Sequence, residues 1–312
     1  AGNQHPGGQV MKVLLTGASG FIGAHVARWL LDRNHDLAVV ALPDDPLNRL
    51  ACLRDRLNIL RAPLEETGAI RDAVLKFQPE TCIHLAWYAE PGQYLHSPKN
   101  IPALAASLSL FEALRNAGCR RIVGAGTCLE YNTDFGYLRE ETPAKPASLY
   151  AAAKLSCGLL GEQLAASSQT SFAWGRIFYP YGPKEDPRRL VPSAIAALSQ
   201  GRFFEATEGN QIRDYIHVAD VASAFGMLAE QETCGVFNIS SGVPVSVRQL
   251  LEMLGGLYGQ NHLLHFGALP GRPSDPPFIC GCNDRLKSLG WRPSFSLAEG
   301  LADTIKAAEV SS

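Results

Sequence analysis

The chain has 312 residues, of which 46% are hydrophobic and 19% are charged, and its formal net charge is −2. This is the composition of an ordinary globular protein, and the length predicts one large domain or two closely joined ones. The balanced charge leaves no basic field for nucleic acid or an anionic membrane, and no apolar run approaches the ~20 residues of a membrane span, so we expect neither as a partner.

The first ten residues are rich in glycine and poor in apolar side chains, and we expect a disordered lead or a non-native remnant over 1–10, with Met11 as the native start. No secretory leader is evident, so we expect a cytoplasmic protein whose eight cysteines are free. Only Cys280 and Cys282 are close in sequence. Without a second Cys or His pair at ligand spacing, we expect no metal site.

Strand-like and helix-like segments alternate through the first half of the chain. Predicted strands cover residues 12–16, 37–42, 57–60, 81–86, 121–126 and 171–177, and predicted helices cover 21–32, 65–77, 101–117 and 148–166. The strands are almost continuously apolar, which is typical of a parallel sheet that is covered by helices on both faces. The pattern therefore predicts an α/β fold with a doubly wound parallel sheet.

The pattern changes after Tyr179, where a loop over 179–189 holds three prolines. Shorter, mixed elements follow. They are helices from Leu190, Val218, Val245 and Leu297 and a strand over 236–239. We therefore expect a dinucleotide-binding domain over 11–179 and a smaller mixed α/β lobe for substrate over 180–312, with a strand and a helix exchanged between them.

A glycine-rich turn lies between the first strand and the first helix, with the sequence Gly17-Ala-Ser19-Gly20-Phe21-Ile22-Gly23. Gly17 permits the tight turn, Gly20 lets the backbone approach a pyrophosphate, and Gly23 allows close packing of helix on strand. Free amides at the positive end of the helix would hold the phosphates. The turn predicts a Rossmann-type dinucleotide site.

The G-x-x-G-x-x-G spacing resembles that of the short-chain dehydrogenase/reductase superfamily. That resemblance implies three later features, and the sequence has each of them. Ala86 ends the fourth strand, Thr127 follows the next strand, and Tyr150 and Lys154 form a Tyr-x-x-x-Lys pair in a helical segment. The resemblance extends over essentially the whole chain from Met11.

Thr127, Tyr150 and Lys154 are the expected catalytic residues. Tyr150 and Lys154 are four residues apart, so a helix places them on one face. A neighbouring ammonium lowers the pKa of a phenol from about 10, and the tyrosine can then exchange a proton with a sugar hydroxyl. Thr127 would orient the same oxygen, while the nicotinamide carries the hydride.

The cofactor is expected to be NAD or NADP. An acidic residue at the end of the second strand would select NAD and an arginine would select NADP, but the strand ends at Leu42 with neither. The choice therefore stays open at this point. The expected cofactor contacts are Gly17, Ser19, Gly20, Phe21, Ile22, Gly23, Leu42, Leu85, Ala86 and Lys154.

The C-terminal half resembles the NAD-dependent epimerase/dehydratase branch, which acts on nucleotide-activated sugars. The similar segments cover residues 176–183, 189–192, 209–217 and 271–275. The resemblance implies that Arg213 and Arg272 clamp the diphosphate, for which the guanidinium fork is suited. Tyr179 replaces the usual asparagine of the branch. The expected substrate contacts are Trp87, Glu130, Tyr179, Arg189, Leu190, Arg213 and Arg272, with simple loop packing an equal alternative for Trp87.

The residues beside Thr127 limit the chemistry. Dehydratases of this branch carry Asp-Glu directly after the catalytic threonine, whereas this chain carries Cys128-Leu129, which disfavours dehydration. Hydride transfer at C4 of the sugar remains. We expect reduction of a nucleotide-linked 4-keto-sugar, with 4-epimerisation on retained NAD as a nearly equal alternative. A non-catalytic dinucleotide sensor is less favoured, because the Tyr-Lys pair is kept.

Two helical segments, 101–117 and 149–164, are rich in Ala, Leu and Ser. Helices with small apolar faces can pack closely against partners. In the family that the chain resembles, the corresponding helices form a four-helix bundle between two subunits. We therefore expect a homodimer that uses two helices from each subunit.

Overall fold

The computed structural model describes residues 10–271 and 275–311. Residues 1–9 lie outside the described residues, as does Arg272, so the expectations for the lead and for that arginine are not addressed below. No helix in the described part of the chain is both long and apolar enough to cross a membrane. Within the same ranges, no group of three or more His, Cys, Asp or Glu side chains is placed to hold a metal ion.

The strands and helices are numbered in chain order. The strands are β1 (Lys12–Thr16), β2 (Asp36–Ala41), β3 (Asn58–Arg61), β4 (Thr81–His84), β5 (Arg121–Thr127), β6 (Tyr137–Leu138), β7 (Ser171–Ile177), β8 (Tyr179–Tyr181), β9 (Phe204–Ala206), β10 (Ile212–His217), β11 (Gly235–Ile239), β12 (Pro244–Ser246), β13 (Leu264–Phe266) and β14 (Cys280–Gly281). The helices are α1 (Phe21–Asp32), α2 (Thr67–Phe77), α3 (Asn100–Asn116), α4 (Leu149–Ala166), α5 (Leu190–Leu198), α6 (Val218–Glu230), α7 (Val247–Tyr258), α8 (Asp284–Ser288) and α9 (Leu297–Ser311).

Seven parallel strands form the main sheet, in the order β11-β7-β5-β4-β1-β2-β3. One apolar core packs α1 and α6 on one face, and a second packs α2, α3 and α4 on the other. Burial on both faces explains why the strands are apolar along their whole length. The predicted fold class, a doubly wound parallel sheet, is confirmed.

The strand order reverses at β1, which pairs with β2 on one side and with β4 on the other. The chain therefore leaves β1 and β4 toward helices on opposite faces of the sheet. A crevice opens at such a reversal, outside the carboxyl ends of the strands, and ligands of open α/β sheets bind there. The glycine turn after β1, the end of β4 and the end of β5 all lie along this edge.

A smaller lobe is built on the carboxyl-end side from a three-stranded sheet in the order β12-β10-β8 and a separate apolar core around α5, α7 and α9. The two parts of the chain share elements. Strand β11 is the edge strand of the main sheet and pairs with β7, while α6 packs against α1. Elements after residue 180 thus complete the main sheet.

Several boundaries differ from the sequence prediction by one or two residues, and the caps explain one of them. Helix α7 begins at Val247 rather than Val245 because Ser246 is its N-cap. The Ser246 hydroxyl accepts from the Gln249 amide, and the Gln249 side chain accepts from the Ser246 amide. This reciprocal capping box fixes the start of the helix.

Candidate active site

The glycine turn has the shape that a pyrophosphate requires. Gly20 donates its amide to the Gly17 carbonyl at 3.0 Å, and α1 begins at Phe21 with no side chain capping its first amides. Gly17 has a φ of +73°, and a Cβ there would lie 2.7 Å from the Ala86 nitrogen. A Cβ on Gly23 would collide with the Gly17 carbonyl. Uncapped amides and a surface without side chains fit a dinucleotide phosphate.

A directional series of hydrogen bonds fixes the end of β4 beside the glycine turn. The Ser107 hydroxyl donates to the Ala103 carbonyl, so it accepts from Nε2 of His84 at 2.9 Å. Nδ1 of His84 then accepts from the Thr16 hydroxyl, whose oxygen accepts the Ala86 amide. Burial, and secondarily Lys154, lowers the pKa of His84 to about 3, so the ring stays neutral. The sequence analysis did not predict these hydrogen bonds.

The second strand ends one residue earlier than predicted, and the residue that follows it is exposed. Strand β2 stops at Ala41, and Leu42 is 55% exposed beyond it. The Leu42 carbonyl accepts from the Arg61 guanidinium at 2.7 Å, which fixes the backbone where a ribose would lie. Neither an acidic side chain nor a free arginine occupies the end of the strand itself.

The three expected catalytic residues lie together at the carboxyl edge. Thr127 ends β5, and α4, capped by Ser148, carries Tyr150 and Lys154. The Lys154 ammonium donates to the Ala125 carbonyl at 2.8 Å and lies 4.0 Å from the centre of the Trp87 ring. Burial lowers the pKa of Lys154 to about 8.

The expected lowering of the Tyr150 pKa by Lys154 is wrong for the arrangement that the structure shows. Burial raises the pKa of the Tyr150 phenol, and the neighbouring phenol of Tyr94 adds to this effect. A hydrogen bond from Thr127 works in the opposite direction, because it stabilises the phenolate. Lys154 instead directs its ammonium toward the β5 backbone.

Aromatic rings enclose Tyr150. The Tyr94 ring meets it edge-on at 4.8 Å between centroids, and the Trp87 ring does so at 6.5 Å. Buried Asn100 fixes both neighbours, because its side chain accepts from the Trp87 indole and donates to the Tyr94 carbonyl. Arg189 lies 5.4 Å from the Tyr94 ring centre. The structure therefore puts Trp87 beside Tyr150 and Arg189 beside Tyr94, and it adds Tyr94 and Asn100, which the predicted contacts omit.

The expected diphosphate contacts are partly brought together. Arg213 on β10 is buried, and its guanidinium pairs with Asp275 and lies 5.4 Å from the Tyr179 ring centre. Arg189 is the N-cap of α5, so Leu190 begins that helix. The structure thus brings Arg213 and Tyr179 together, while Arg189 lies beside Tyr94.

The structure corrects the expectation that Glu130 contacts substrate. The segment Cys128–Glu130 is a short 3₁₀ helix rather than a strand, and the Glu130 side chain is 0% exposed. Its carboxylate accepts from the Thr127 amide, the Trp174 indole and the Arg176 guanidinium. All of these partners are protein groups in the core, so no oxygen of Glu130 faces the crevice.

Comparison with known proteins agrees with this geometry. A family model described as the NAD dependent epimerase/dehydratase family matches residues 13–240. A UDP-glucose 4-epimerase of Mycolicibacterium smegmatis is 30% identical over 315 residues, covering 95% of this chain and 98% of that protein.

Two solved structures are also similar. The UDP-glucose 4-epimerase of Thermotoga maritima with UDP-glucose has a TM-score of 0.88 at 25% identity, covering 96% of this chain and 99% of that one. The structure of MoeE5 in complex with UDP-glucuronic acid and NAD has a TM-score of 0.82 at 30% identity, covering 96% of this chain and all of that one.

Proposed function

The chain belongs to the NAD-dependent epimerase/dehydratase family, and we propose that it is a nucleotide-sugar 4-epimerase that keeps NAD bound through its catalytic cycle. The observation that carries this proposal is the surroundings of Thr127. Tyr150 and Lys154 converge on it, while Leu129 stands where a dehydratase has a carboxylate and Glu130 is turned into the core. The site can therefore move a proton at one sugar hydroxyl but has no free acid beside Thr127 to expel water.

The protein residues perform binding, orientation and proton transfer. Thr127 donates a hydrogen bond to the reacting oxygen, and Tyr150 exchanges the proton of that oxygen. Lys154 holds the backbone of Ala125 and supplies a positive charge near both. The glycine turn of Gly17, Gly20 and Gly23 would hold NAD, which would supply reversible hydride transfer at C4 of the sugar. The half-buried ring of Tyr94 and the Trp87 ring exclude water around the reacting carbon.

NAD rather than NADP is the proposed cofactor, and Gly17, Gly20 and Gly23 are the proposed pyrophosphate contacts. The Arg61 guanidinium at the end of β2 donates to the carbonyls of Leu42 and Asp45 and so does not stand free for a 2′-phosphate, which supports this choice. The similar structure of MoeE5 contains NAD, which supports it further. Leu42, Leu85 and Ala86 are proposed to cover the adenosine and nicotinamide ends.

The proposed substrate is a nucleoside-diphosphate sugar whose diphosphate lies between Arg189 and Arg213. Arg213 is already buried and paired with Asp275, so it is positioned before substrate arrives. Tyr179 packs against Arg213 and would offer a phenol where relatives of the family offer an amide. UDP is the favoured nucleotide, because the named relatives are UDP-sugar enzymes.

Epimerisation is preferred over the reduction that the sequence alone favoured slightly. Both reactions use Thr127, Tyr150 and Lys154, so the residues do not separate them. The support comes from the similar proteins, of which the Mycolicibacterium smegmatis and Thermotoga maritima enzymes are named as 4-epimerases.

The test is product analysis with cofactor accounting. The protein is incubated with NAD and, in turn, UDP-glucose, UDP-N-acetylglucosamine and UDP-glucuronic acid, and the sugar nucleotides are then separated. We expect conversion of at least one of them to its C4 epimer, with no net build-up of reduced nicotinamide. Build-up equal to the sugar consumed, or no conversion of any of the three, would contradict the proposal.

We also propose a homodimer that forms through α3 and α4. Both helices keep large apolar side chains at the surface, with Ile101 on α3 and Leu159 and Leu160 on α4 about half exposed. Such residues on adjacent helices are typical of a surface that a partner covers.

A further inference from the structure

A buried carboxylate lies directly behind the catalytic threonine. The Glu130 carboxylate accepts from the Thr127 amide at 2.8 Å and from Nε of Arg176 at 2.6 Å. The Trp174 indole donates to both carboxylate oxygens at 3.1 Å. All three partners are donors, which matches the ionised carboxylate. Burial works most strongly against the charge of Arg176, but Glu130 and Tyr131 together outweigh it and raise the pKa of the guanidinium.

The surrounding sequence is shaped to bring the Trp174 indole to this carboxylate. Gly124 and Gly126 on β5 and Gly158 on α4 all face the indole, and a Cβ at any of them would overlap it. A Cβ on Gly126 would also lie 2.6 Å from Oε1 of Glu130. Three positions in two elements are therefore emptied of side chains around one ring. The absence of side chains at these three positions makes the space that the indole fills.

Fold stability alone does not account for this arrangement. Moving two charges out of water is costly, and an apolar group of similar volume in place of a buried ion pair is often neutral or stabilising. Glu130 and Arg176 are both removed from solvent, and Arg176 has a side chain only 7% exposed. Such a pair is better explained when it fixes a particular local geometry.

The geometry that it fixes is that of the Thr127 hydroxyl. Glu130 and Thr127 form a reciprocal cap of the 3₁₀ turn, in which Glu130 takes the Thr127 amide and the Thr127 oxygen accepts the Leu129 amide at 3.3 Å. Because this oxygen already accepts a donor from the turn, its proton is free to point away from the turn, toward Tyr150. The hydroxyl hydrogen bond to Tyr150 is consistent with that direction.

We propose that Glu130, held by Arg176 and Trp174, is a positioning residue that sets Thr127 as a hydrogen-bond donor to the reacting oxygen of the sugar. The proposal deepens the proposed function and rests on it, since it needs a reacting oxygen at Thr127. Glu130 touches neither substrate nor cofactor and acts only through the turn that it caps. Its loss should therefore lower the rate of the chemical step and leave substrate binding nearly unchanged.

A double-mutant cycle tests the proposal. Turnover of UDP-glucose is measured for Thr127→Ala, Glu130→Gln, Trp174→Phe and the two double variants that include Thr127→Ala. We expect Glu130→Gln to lower kcat about a hundredfold and Trp174→Phe about tenfold, with KM within about twofold of the parent, because small misplacements of a catalytic group are this costly. In the Thr127→Ala background, both changes should cost less than about threefold.

Trp291→Phe is the matched control. Trp291 is also a buried tryptophan, and its indole donates to the Ser223 hydroxyl at 2.9 Å, so the variant loses one indole hydrogen bond but none of the contacts around Thr127. It should lose thermal stability and keep its kcat. Trp174→Phe keeps a ring in the space left by the glycines, so the cycle stays available if Glu130→Gln does not fold.

The outcomes distinguish failure of the positioning role of Glu130 from failure of the proposed function. If the losses from Glu130→Gln or Trp174→Phe multiply with that from Thr127→Ala, the positioning role is overturned while the proposed function stands. The same holds if Trp291→Phe lowers kcat as much as they do. If Thr127→Ala itself keeps full turnover, the proposed catalytic centre is wrong, and the positioning role falls with it.

Discussion

The ammonium of Lys154 donates to the main-chain carbonyl of Ala125 at 2.8 Å, inside the strand that ends at Thr127. Lys154 is thereby almost removed from water, and burial lowers its pKa from 10.5 to about 8. The contact ties the helix of Tyr150 to the strand of Thr127. It therefore joins the two elements that carry the proposed catalytic pair.

The lowered pKa of Lys154 predicts a stability change with pH. Between about pH 8 and 10.5 the unfolded chain holds a proton on this side chain that the folded chain has released, so stability rises with pH. The free energy of unfolding of the parent, minus that of Lys154→Met, should increase by about 2–3 kcal/mol across this window. Denaturant unfolding at several pH values measures it. A flat difference would show that the folded pKa is not lowered.

Tyr150→Phe should abolish turnover while NAD still binds. The variant removes only the phenol oxygen that exchanges the proton, and loss of a general acid-base group typically costs at least about a hundredfold. The ring that packs against Tyr94 and Trp87 stays in place, so the fold should be unaffected. Turnover and calorimetric NAD binding check the two halves. Near-normal turnover would remove Tyr150 from the catalytic role.

Arg213→Leu should raise KM for UDP-sugars by about ten- to a hundredfold, the cost of a lost charge-assisted hydrogen bond. The matched control is Arg248→Leu. Arg248 is also an arginine of the smaller lobe, and its guanidinium pairs with Glu208 at 3.2 Å. Steady-state kinetics compare the two. Equal KM values for Arg213→Leu and the parent would contradict the diphosphate role of Arg213.

Leu159→Arg should convert a dimer into a monomer. Leu159 is 56% exposed on α4, and a charge buried at an interface without a partner is strongly unfavourable. Leu257, which is 48% exposed on α7 of the smaller lobe, gives the control variant Leu257→Arg. Light scattering at micromolar concentration measures the mass. We expect Leu257→Arg to stay dimeric. A monomeric parent, or a Leu159→Arg variant that remains a dimer, would contradict the proposed interface.

Features with a local signature were predictable from the sequence. The spacing of Gly17, Gly20 and Gly23 reflects the requirements of one turn, and the spacing of Tyr150 and Lys154 reflects one face of a helix. Both depend on residues close in the chain. The alternation of apolar strands and helices similarly predicted the doubly wound parallel sheet.

The role of Glu130 was not recognised, although part of its signature is local. Thr127 and Glu130 have the three-residue spacing of a capping box, but this spacing was not used, and Glu130 was instead expected to contact substrate. The partners Trp174 and Arg176 lie more than forty residues further along the chain. Contacts of this kind depend on the neighbouring strands β5 and β7, which sequence periodicity does not specify.

The raised pKa of Tyr150 was missed for a related reason. The helical spacing correctly placed Lys154 near Tyr150, but it said nothing about Ala125, whose carbonyl takes the ammonium. It also did not reveal Tyr94, which reaches Tyr150 from the loop after β4. Burial and these long-range contacts set the direction of the shift.

The most direct test of the account follows the hydrogen at C4 of the sugar. UDP-glucose that carries deuterium at C4 is converted by the protein with unlabelled NAD in ordinary water, and the product is examined by mass spectrometry and NMR. An epimerase of the proposed kind returns the same hydride, so the label should be found at C4 of the galactose epimer. An epimer without the label, or a label that leaves with free reduced cofactor, would contradict the account.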